Sequence, residues 1–273
     1  MSSPTIPAWK PPLTIRCHCQ KSTCNISRPR WDPEGTNLPE ANPRNSVFDV
    51  IEGVFKSGEE TIRFCTTCGT RMLLITSGEK VKVFIGCFDN HDVQSARNHN
   101  LVIESFPEKP ALLREPSNDV ITGRCLCRSV IFTIHKPPED WHKDAVLRQW
   151  VKSTTGAPYW QWAFIPRSLV TDIPFERLQK YKSSDTVTRY FCKKCGETYF
   201  YENAGNGGDE LWDVAYDTLA FEADTIAKQW FQSAFRDEDW DDNQKVDEYI
   251  EGWIEGRFSF DSEGVSFLGH EKH

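Results

Sequence analysis

Eight of the ten cysteines stand in short, repeated spacings that suit metal binding. Two CxC pairs alternate along the chain with two CxxCG segments. The pairs in chain order are Cys17 and Cys19, Cys65 and Cys68, Cys125 and Cys127, and Cys192 and Cys195. Residues i and i+2 of a β-strand point to the same side, and a tight CxxCG turn also brings two sulfurs together. One pair of each kind supplies four thiolates, which predicts two closed, tetrahedral, structural zinc sites.

Two other uses of these cysteines are less consistent with the sequence. The first seven residues have neither the basic start nor the apolar core of a secretory signal, so we expect a cytoplasmic protein, with the nucleus as the alternative. Disulfides are rare in those compartments. A redox CxxC of the thioredoxin type usually lies at a helix N-terminus within a βαβ unit, and neither CxxCG segment has that context.

The two halves of the chain are related in sequence. Residues 14–19 parallel residues 122–127, and residues 61–70 parallel residues 187–197. An apolar stretch, a glycine-containing turn and another apolar stretch follow each CxxCG segment. Short β-rich segments with turn signals at this spacing predict antiparallel sheet. The sequence therefore predicts a mainly β protein of two zinc-stapled antiparallel β domains, which we call the first half (residues 1–115, shortened) and the second half (residues 116–273).

The end of the second half has a different pattern. Apolar residues recur with helical spacing within residues 226–235 and again within residues 246–254, which predicts two amphipathic C-terminal α-helices packed on the second sheet. Residues 209–263 are also strongly acidic. The alternative is that this acidic helical extension binds a partner protein.

Composition excludes several function classes. The chain has 273 residues and a net charge of −8, and no cluster of Lys and Arg marks a nucleic-acid surface. No apolar run approaches the ~20 residues that a membrane helix needs, so we expect no membrane partner. A glycine-rich phosphate loop, an HExxH segment and a GxSxG segment are all missing from the sequence, so nucleotide, metalloprotease and serine hydrolase chemistry lack their residues.

The cysteine pattern resembles that of a known family. The order CxC, a long segment, FCxxCG and an apolar strand is similar to the GFA/CENP-V family, named for glutathione-dependent formaldehyde-activating enzyme. Residues 85–89 resemble its strand after the CxxCG turn, and residues 100–105 resemble its closing strand. The similarity covers most of residues 12–107 and 120–220, as in a tandem protein. It implies two Mss4-like domains, Zn²⁺ in both Cys₄ sites, and a carbon–sulfur lyase that acts on a glutathione–aldehyde hemithioacetal or a related thiol adduct.

The resemblance also implies where a substrate would bind. In the family, a CHCxxC motif followed by a stretch like QKxTGAP holds a second, labile zinc near glutathione, with one coordination position open. Residues 152–158 resemble the trailing part, but residues 146–151 contain no metal ligand. The implied substrate pocket therefore consists of Arg148, Lys152, Ser153 and Thr154, with no catalytic residue assigned. The alternative is a catalytically silent, zinc-stabilised binding or scaffold protein.

In the first half, the segment from Cys17 to Cys24 allows two interpretations. It is either the CxC pair of a structural site or a contracted CHCxxC motif. His18 lies between two candidate ligands, and we expect it to be exposed or capping rather than metal-bound. For Cys24 and Cys87 we expect small buried apolar side chains.

The second half also carries a group of aromatic residues. Packing in the core is the default expectation for them, and the wall of a small-molecule pocket is the alternative. The group comprises Trp141, Trp150, Tyr159, Trp160 and Trp162.

Overall fold

The chain is almost entirely β-structure in the part that the structure covers. The computed structural model describes residues 13–26, 51–76, 80–88, 102–103, 119–136, 138, 146–149, 160–204, 211–215, 218–219, 258–261 and 264–267. The prediction of a mainly β protein is confirmed for these residues. The predicted helices at residues 226–235 and 246–254 lie outside them. No helix in the described part of the chain is long and apolar enough to cross a membrane.

The strands are short and lie in two groups along the chain. The first group is β1 (Leu13–Arg16), β2 (Thr23–Ile26), β3 (Gly53–Ser57), β4 (Glu60–Phe64), β5 (Arg71–Thr76), β6 (Lys80–Phe84) and β7 (Val102–Ile103). The second is β8 (Val120–Arg124), β9 (Ile131–His135), β10 (Val146–Gln149), β11 (Trp160–Pro166), β12 (Val170–Thr171), β13 (Leu178–Lys182), β14 (Val187–Cys192), β15 (Thr198–Asn203), β16 (Leu211–Ala215), β17 (Phe258–Asp261) and β18 (Gly264–Phe267). Three-residue 3₁₀ turns lie at Ile85–Cys87, Arg167–Leu169 and Phe175–Arg177.

The described strands form sheets in which the same order recurs. The first half has a β1-β2 hairpin and a five-stranded sheet in the order β3-β4-β5-β6-β7. The second half has a three-stranded sheet, β12-β9-β8, and a six-stranded sheet, β10-β11-β16-β15-β14-β13. β17 and β18 pair with each other, and all described pairs are antiparallel except β6 with β7. The order β3 to β6 in one half thus matches β13 to β16 in the other.

Irregularities in the strands also recur at matching positions. The register shifts between Arg63 and Phe64 in the first half and between Tyr190 and Phe191 in the second, just before each CxxCG turn. The halves differ beyond the fourth strand, because β7 runs parallel to β6 whereas β11 runs antiparallel to β16. The segment between Cys127 and Cys192 is longer than that between Cys19 and Cys65, and it contains β10 and β11, which extend the sheet of the second half.

Both halves contribute to one cluster of buried side chains. Strand alternation explains this in part, because one face of each sheet is apolar. The cluster contains Met72 and Phe84 of the first half as well as Phe132, Phe200 and Val214 of the second. The described residues therefore have a common core, and the predicted boundary between residues 115 and 116 stays a prediction.

The six-stranded sheet is buried on both faces. One face carries Phe200 and Val214, which belong to the common core. The opposite face carries a smaller cluster of Trp162, Val187, Tyr201 and Ala215. We call this second face the outer face.

A reciprocal glycine–phenylalanine contact joins the halves. Gly69 and Gly196 end the two CxxCG turns with φ of +80° and +72°, values that a residue with a side chain rarely adopts. A Cβ at Gly69 would lie 2.5 Å from Cγ of Phe191, and one at Gly196 would lie 2.6 Å from Cγ of Phe64. The phenylalanine that precedes each CxxCG turn therefore packs against the glycine of the other turn.

Candidate metal centres

The structure brings the eight predicted metal ligands into two clusters. The sulfurs of Cys17, Cys19, Cys65 and Cys68 lie within 4.8 Å of one another, and so do those of Cys125, Cys127, Cys192 and Cys195. The two clusters have the same ligand order and the same burial pattern, three buried cysteines and one half-buried.

The sulfur spacing fits a tetrahedral metal ion. Sγ of Cys19 lies 3.5 Å from Sγ of Cys17 and 3.6 Å from Sγ of Cys65. Sγ of Cys127 lies 3.3 Å from Sγ of Cys125 and 3.6 Å from Sγ of Cys192. A Zn–S bond of ~2.3 Å places tetrahedral sulfurs ~3.8 Å apart, whereas a disulfide needs about 2 Å. The geometry is therefore compatible with two metal sites, and the identity of the metal as zinc stays a prediction.

A tight turn, rather than a strand, positions each CxC pair. β1 ends at Arg16 and β8 ends at Arg124, one residue before the first cysteine of each pair. Each pair then enters a turn whose left-handed residue is Gln20 (φ 61°) or Arg128 (φ 56°). The prediction that the paired thiols converge is met, but the strand geometry assumed for it is wrong because the chain reverses immediately after the strand.

The two CxxCG turns have matching backbone hydrogen bonds. The amide of Cys65 donates to the carbonyl of Thr70, and that of Gly69 donates to the carbonyl of Cys65. In the second half the amide of Cys192 donates to Glu197 and that of Gly196 to Cys192, at 2.8 and 2.9 Å. These bonds close each turn so that both of its sulfurs face the CxC pair.

Hydroxyl groups that the sequence analysis did not single out contact the sulfurs. Oγ of Ser129 lies 2.9 Å from Sγ of Cys127 and 3.2 Å from Sγ of Cys192. In the first half, Oγ1 of Thr70 lies 3.2 Å from Sγ of Cys68. Hydrogen bonds to thiolates orient them and tune the affinity for the metal. The only sequence signal for these groups is that each hydroxyl residue stands two positions after a ligand.

Each cluster has four sulfurs, which would complete the tetrahedral coordination of a bound metal ion. A catalytic zinc keeps one position open for water or substrate, so the ligand number indicates structural sites. Burial raises the pKa of the Cys19 thiol to about 11. Metal binding must displace that proton, which couples metal affinity to pH.

An ion pair from the first half reaches the second cluster. Nη2 of Arg71 lies 3.2 Å from Oε2 of Glu197, and both side chains are almost fully buried. The same carboxylate oxygen accepts a 2.7 Å hydrogen bond from the amide of Leu126, which stands between two of the cysteine ligands. Nε of Arg71 also donates to the carbonyl of Cys195 at 3.4 Å. Side chains of both halves thus support the second cluster.

His18 contacts the second half rather than a metal cluster. Its Nδ1 lies 2.6 Å from the hydroxyl oxygen of Tyr181. We expected His18 to be exposed or capping rather than metal-bound; it is not exposed, because its side chain is half-buried against this tyrosine, and it lies outside both cysteine clusters. Burial lowers the pKa of His18 to about 4, so the ring is neutral at pH 7.

The first cluster favours the structural interpretation of the first CxC pair. Cys17 and Cys19 share a cluster with Cys65 and Cys68, as that interpretation requires. Cys24 lies on β2, opposite Ile15, and its side chain lies outside the described residues. Cys87 is buried and donates a 3.2 Å hydrogen bond to the carbonyl of Arg71, consistent with a small core residue.

The predicted substrate pocket is only partly within the described chain. Arg148 lies on β10, where its backbone is opposite Gln161 of β11. Lys152, Ser153 and Thr154 lie outside the described residues, so this pocket stays a prediction. Of the predicted aromatic group, Trp162 lies on β11 and is buried on the outer face, with its ring 5.7 Å from that of Tyr201.

A comparison with curated proteins finds no match. The model of the glutathione-dependent formaldehyde-activating enzyme family matches residues 120–233, a segment that contains the second Cys₄ cluster and all of β8 to β16. The second half of this protein is therefore similar to the glutathione-dependent formaldehyde-activating enzymes.

Proposed function

We propose that this protein is a carbon–sulfur lyase that acts on a glutathione–aldehyde hemithioacetal or a related thiol adduct. The observation that carries the proposal is the family match over residues 120–233, within which four cysteine sulfurs lie within 4.8 Å of one another. In this proposal Zn²⁺ in both clusters is structural, and its binding energy contributes to folding.

The reaction needs groups that the metal clusters do not provide. Cleavage of the adduct removes the proton of its hydroxyl group, breaks the C–S bond, and releases the aldehyde together with a thiol that receives the proton. The protein must therefore hold the thiol peptide and stabilise the sulfur as it becomes negative. We place this pocket in the second half, around Arg148, Lys152, Ser153 and Thr154.

One observation favours a second candidate, a binding protein without lyase activity. β10 (Val146–Gln149) stands where the resemblance implies the ligands of a labile zinc, and it carries no Cys, His, Asp or Glu. In this second candidate the protein binds the thiol peptide, or a partner protein through its acidic tail, and does not turn it over. Similarity of fold does not by itself establish activity.

We further propose that the first half is a shortened copy of the same unit. The recurrence of strand order, register shift and cluster geometry supports a tandem arrangement. The reduced thiols that both clusters need support a cytoplasmic location.

The experiment measures metal content and turnover on the full chain. Elemental analysis should give two zinc ions per chain, with or without glutathione. Exchange NMR on a mixture of formaldehyde and glutathione should show faster interconversion of the adduct with wild type than without protein. Arg148→Met should slow it, whereas the exposed Lys136→Met on the described surface should not. Glutathione binding without rate enhancement supports the second candidate, and absence of binding contradicts both the lyase and a second candidate that binds the thiol peptide.

A further inference from the structure

The two CxxCG turns contact each other through the residues that flank them. Phe64 stands directly before the first turn and Arg71 stands two residues after it. The Phe64 ring packs against Gly196 of the second turn, and Nε of Arg71 donates to the carbonyl of the ligand Cys195 at 3.4 Å. Phe191, which precedes the second turn, packs in the same way against the glycine of the first. Each turn is therefore held in part by residues that flank the other.

The residue after each turn also contacts the CxC pair of its own half. Oγ1 of Thr70 accepts a 3.4 Å hydrogen bond from the amide of His18, the middle residue of the first pair. Oε2 of Glu197 accepts a 2.7 Å hydrogen bond from the amide of Leu126, the middle residue of the second pair. In both halves this position thus connects the two ligand segments of one cluster.

The two acceptors differ in charge. Thr70 provides a hydroxyl group, whereas Glu197 provides a carboxylate that lies 3.2 Å from Nη2 of Arg71, with both side chains almost fully buried. A buried charge is costly unless an opposite charge and hydrogen bonds compensate it. The connection within the second cluster is therefore stable only while the first half holds Arg71 in this position.

The position of Arg71 depends in turn on the first CxxCG turn. The amide of Cys65 donates to the carbonyl of Thr70, so Arg71 follows directly on the residue that closes the turn. Oγ1 of Thr70 also lies 3.2 Å from Sγ of the ligand Cys68. In structural metal sites the binding energy of the ion is also folding energy, because the ligand segments become ordered around it. Metal binding by the first cluster therefore orders the segment that presents Arg71.

We propose that the two Cys₄ clusters bind their metal ions cooperatively and that the ion pair of Arg71 with Glu197 transmits the coupling. A loaded first cluster positions the Arg71 that stabilises the second, and a loaded second cluster positions the Glu197 that stabilises Arg71. Such coupling is reciprocal and typically changes an affinity by roughly 5- to 150-fold. The binding energy of a structural site is larger than this, so a chain that has lost one cluster still binds an ion at the other, but more weakly than wild type does.

The test is native mass spectrometry of the full, zinc-loaded chain, equilibrated under reducing conditions with a series of chelator buffers that set the free Zn²⁺. The measurement counts the chains that carry two ions, one ion and none. When half of the sites are filled, independent sites of equal affinity leave about half of the chains with one ion, and unequal sites leave more. A coupling of about 10-fold between equal sites lowers this single-ion fraction to about a quarter, which is the result expected for wild type.

A double variant tests the role of the ion pair. Arg71→Met with Glu197→Gln removes both charges together, and the glutamine oxygen can still accept from the amide of Leu126. It should raise the single-ion fraction about twofold over wild type, because the coupling is lost. The matched control is Arg167→Met with Glu202→Gln, which removes an ion pair that lies wholly within the second half. The control should keep the wild-type fraction.

The remaining outcomes decide against the proposal. A double variant with the wild-type fraction would show that the ion pair does not couple the sites. An equal rise in the double variant and the control would attribute any coupling to the common core rather than to this pair, and it would overturn the proposal as well.

A milder variant covers the case in which the double variant does not fold at saturating zinc. Arg71→Lys keeps the charge but has one nitrogen for the contacts with Glu197 and Cys195, and it should also raise the single-ion fraction. A fraction equal to that of wild type overturns the proposal. These measurements involve neither glutathione nor turnover, so a failure of the coupling and a failure of the proposed function are distinguishable.

Discussion

Arg71 and Glu197 form a buried ion pair across the two halves of the chain, with 3.2 Å between Nη2 and Oε2. Glu197 stands two residues after the ligand Cys195 and accepts from the amide of Leu126, between Cys125 and Cys127. The second metal cluster therefore depends on a cation supplied by the first half. This relationship links the stability of the second cluster to the integrity of both halves.

Glu197→Gln should lower the free energy of unfolding by roughly 3–5 kcal/mol, because it removes the carboxylate charge that pairs with the buried Arg71. Chemical denaturation of the zinc-loaded protein measures the change. Glu176→Gln is the control, since Glu176 pairs with Arg177 on the surface, where an ion pair contributes about 0–1 kcal/mol. Equal stabilities of the two variants would show that the buried pair has no special role.

Cys192→Ser should reduce the zinc content from two ions per chain to one and lower the melting temperature. The reason is that the binding energy of a structural metal contributes directly to folding. Elemental analysis and thermal melting check this result. Cys87→Ser makes the same substitution at a buried cysteine outside both clusters and should keep two ions. A Cys192→Ser protein with full zinc content would contradict the assignment of the second cluster.

Gly69→Ala should destabilise the protein by about 3 kcal/mol or more, since the new methyl group meets Phe191 and the backbone has a positive φ. Gly58→Ala is the matched control. Gly58 also has a positive φ of +58°, but a Cβ there has nothing within 4 Å, so the cost should be about 1 kcal/mol. Urea denaturation compares the two variants.

The double variant Gly69→Ala with Phe191→Leu tests the contact between Gly69 and Phe191 by making the second residue smaller as well. Because the smaller leucine relieves the clash, the two substitutions should destabilise by less than the sum of their separate effects. Strict additivity would mean that Gly69 and Phe191 do not pack against each other.

The buried carboxyl of Asp213 should make stability depend on pH. Burial raises its pKa to about 7, above the value near 3.9 of an unfolded aspartate. Between about pH 4 and pH 7 the folded state therefore holds a proton that the unfolded state has released, and stability falls as pH rises through this window. Relative to Asp213→Asn, the ligand-free wild type should lose roughly 1–3 kcal/mol from pH 4 to pH 7.

Acid also protonates the cysteine ligands, but it does so in wild type and in Asp213→Asn alike. The difference between the two proteins at each pH therefore isolates Asp213. Denaturation curves at pH 5, 6 and 7 are sufficient for the measurement. A difference that stays constant across this range would show that Asp213 is ionised throughout.

The spacing of the cysteines was sufficient to predict the two cysteine clusters. The spacing of apolar stretches and turn residues was sufficient to predict a mainly β fold. The pairing of Cys17 and Cys19 with Cys65 and Cys68 follows from the order and number of thiols, because a tetrahedral ion needs four of them. The positive φ of the glycine after each CxxC was likewise predictable, because a tight turn of this kind usually needs it.

Contacts between residues distant in the chain could not be predicted in this way. Arg71 and Glu197 carry no spacing signal, since 126 residues separate them. The alignment of Arg189 with Asp213 depends on strand register, which hydrophobic alternation on two buried faces leaves open. The turn at each CxC pair was missed because the left-handed residues there, Gln20 and Arg128, are not glycines.

The reciprocal packing of two phenylalanines against two glycines has a consequence for biosynthesis. During translation the first half leaves the ribosome with Gly69 exposed, since Phe191 is not yet made. All four cysteines of the first cluster precede residue 69, but the chain cannot bury the surface at Gly69 until residue 191 has emerged. Maturation of the amino-terminal portion therefore waits for synthesis of the carboxy-terminal portion.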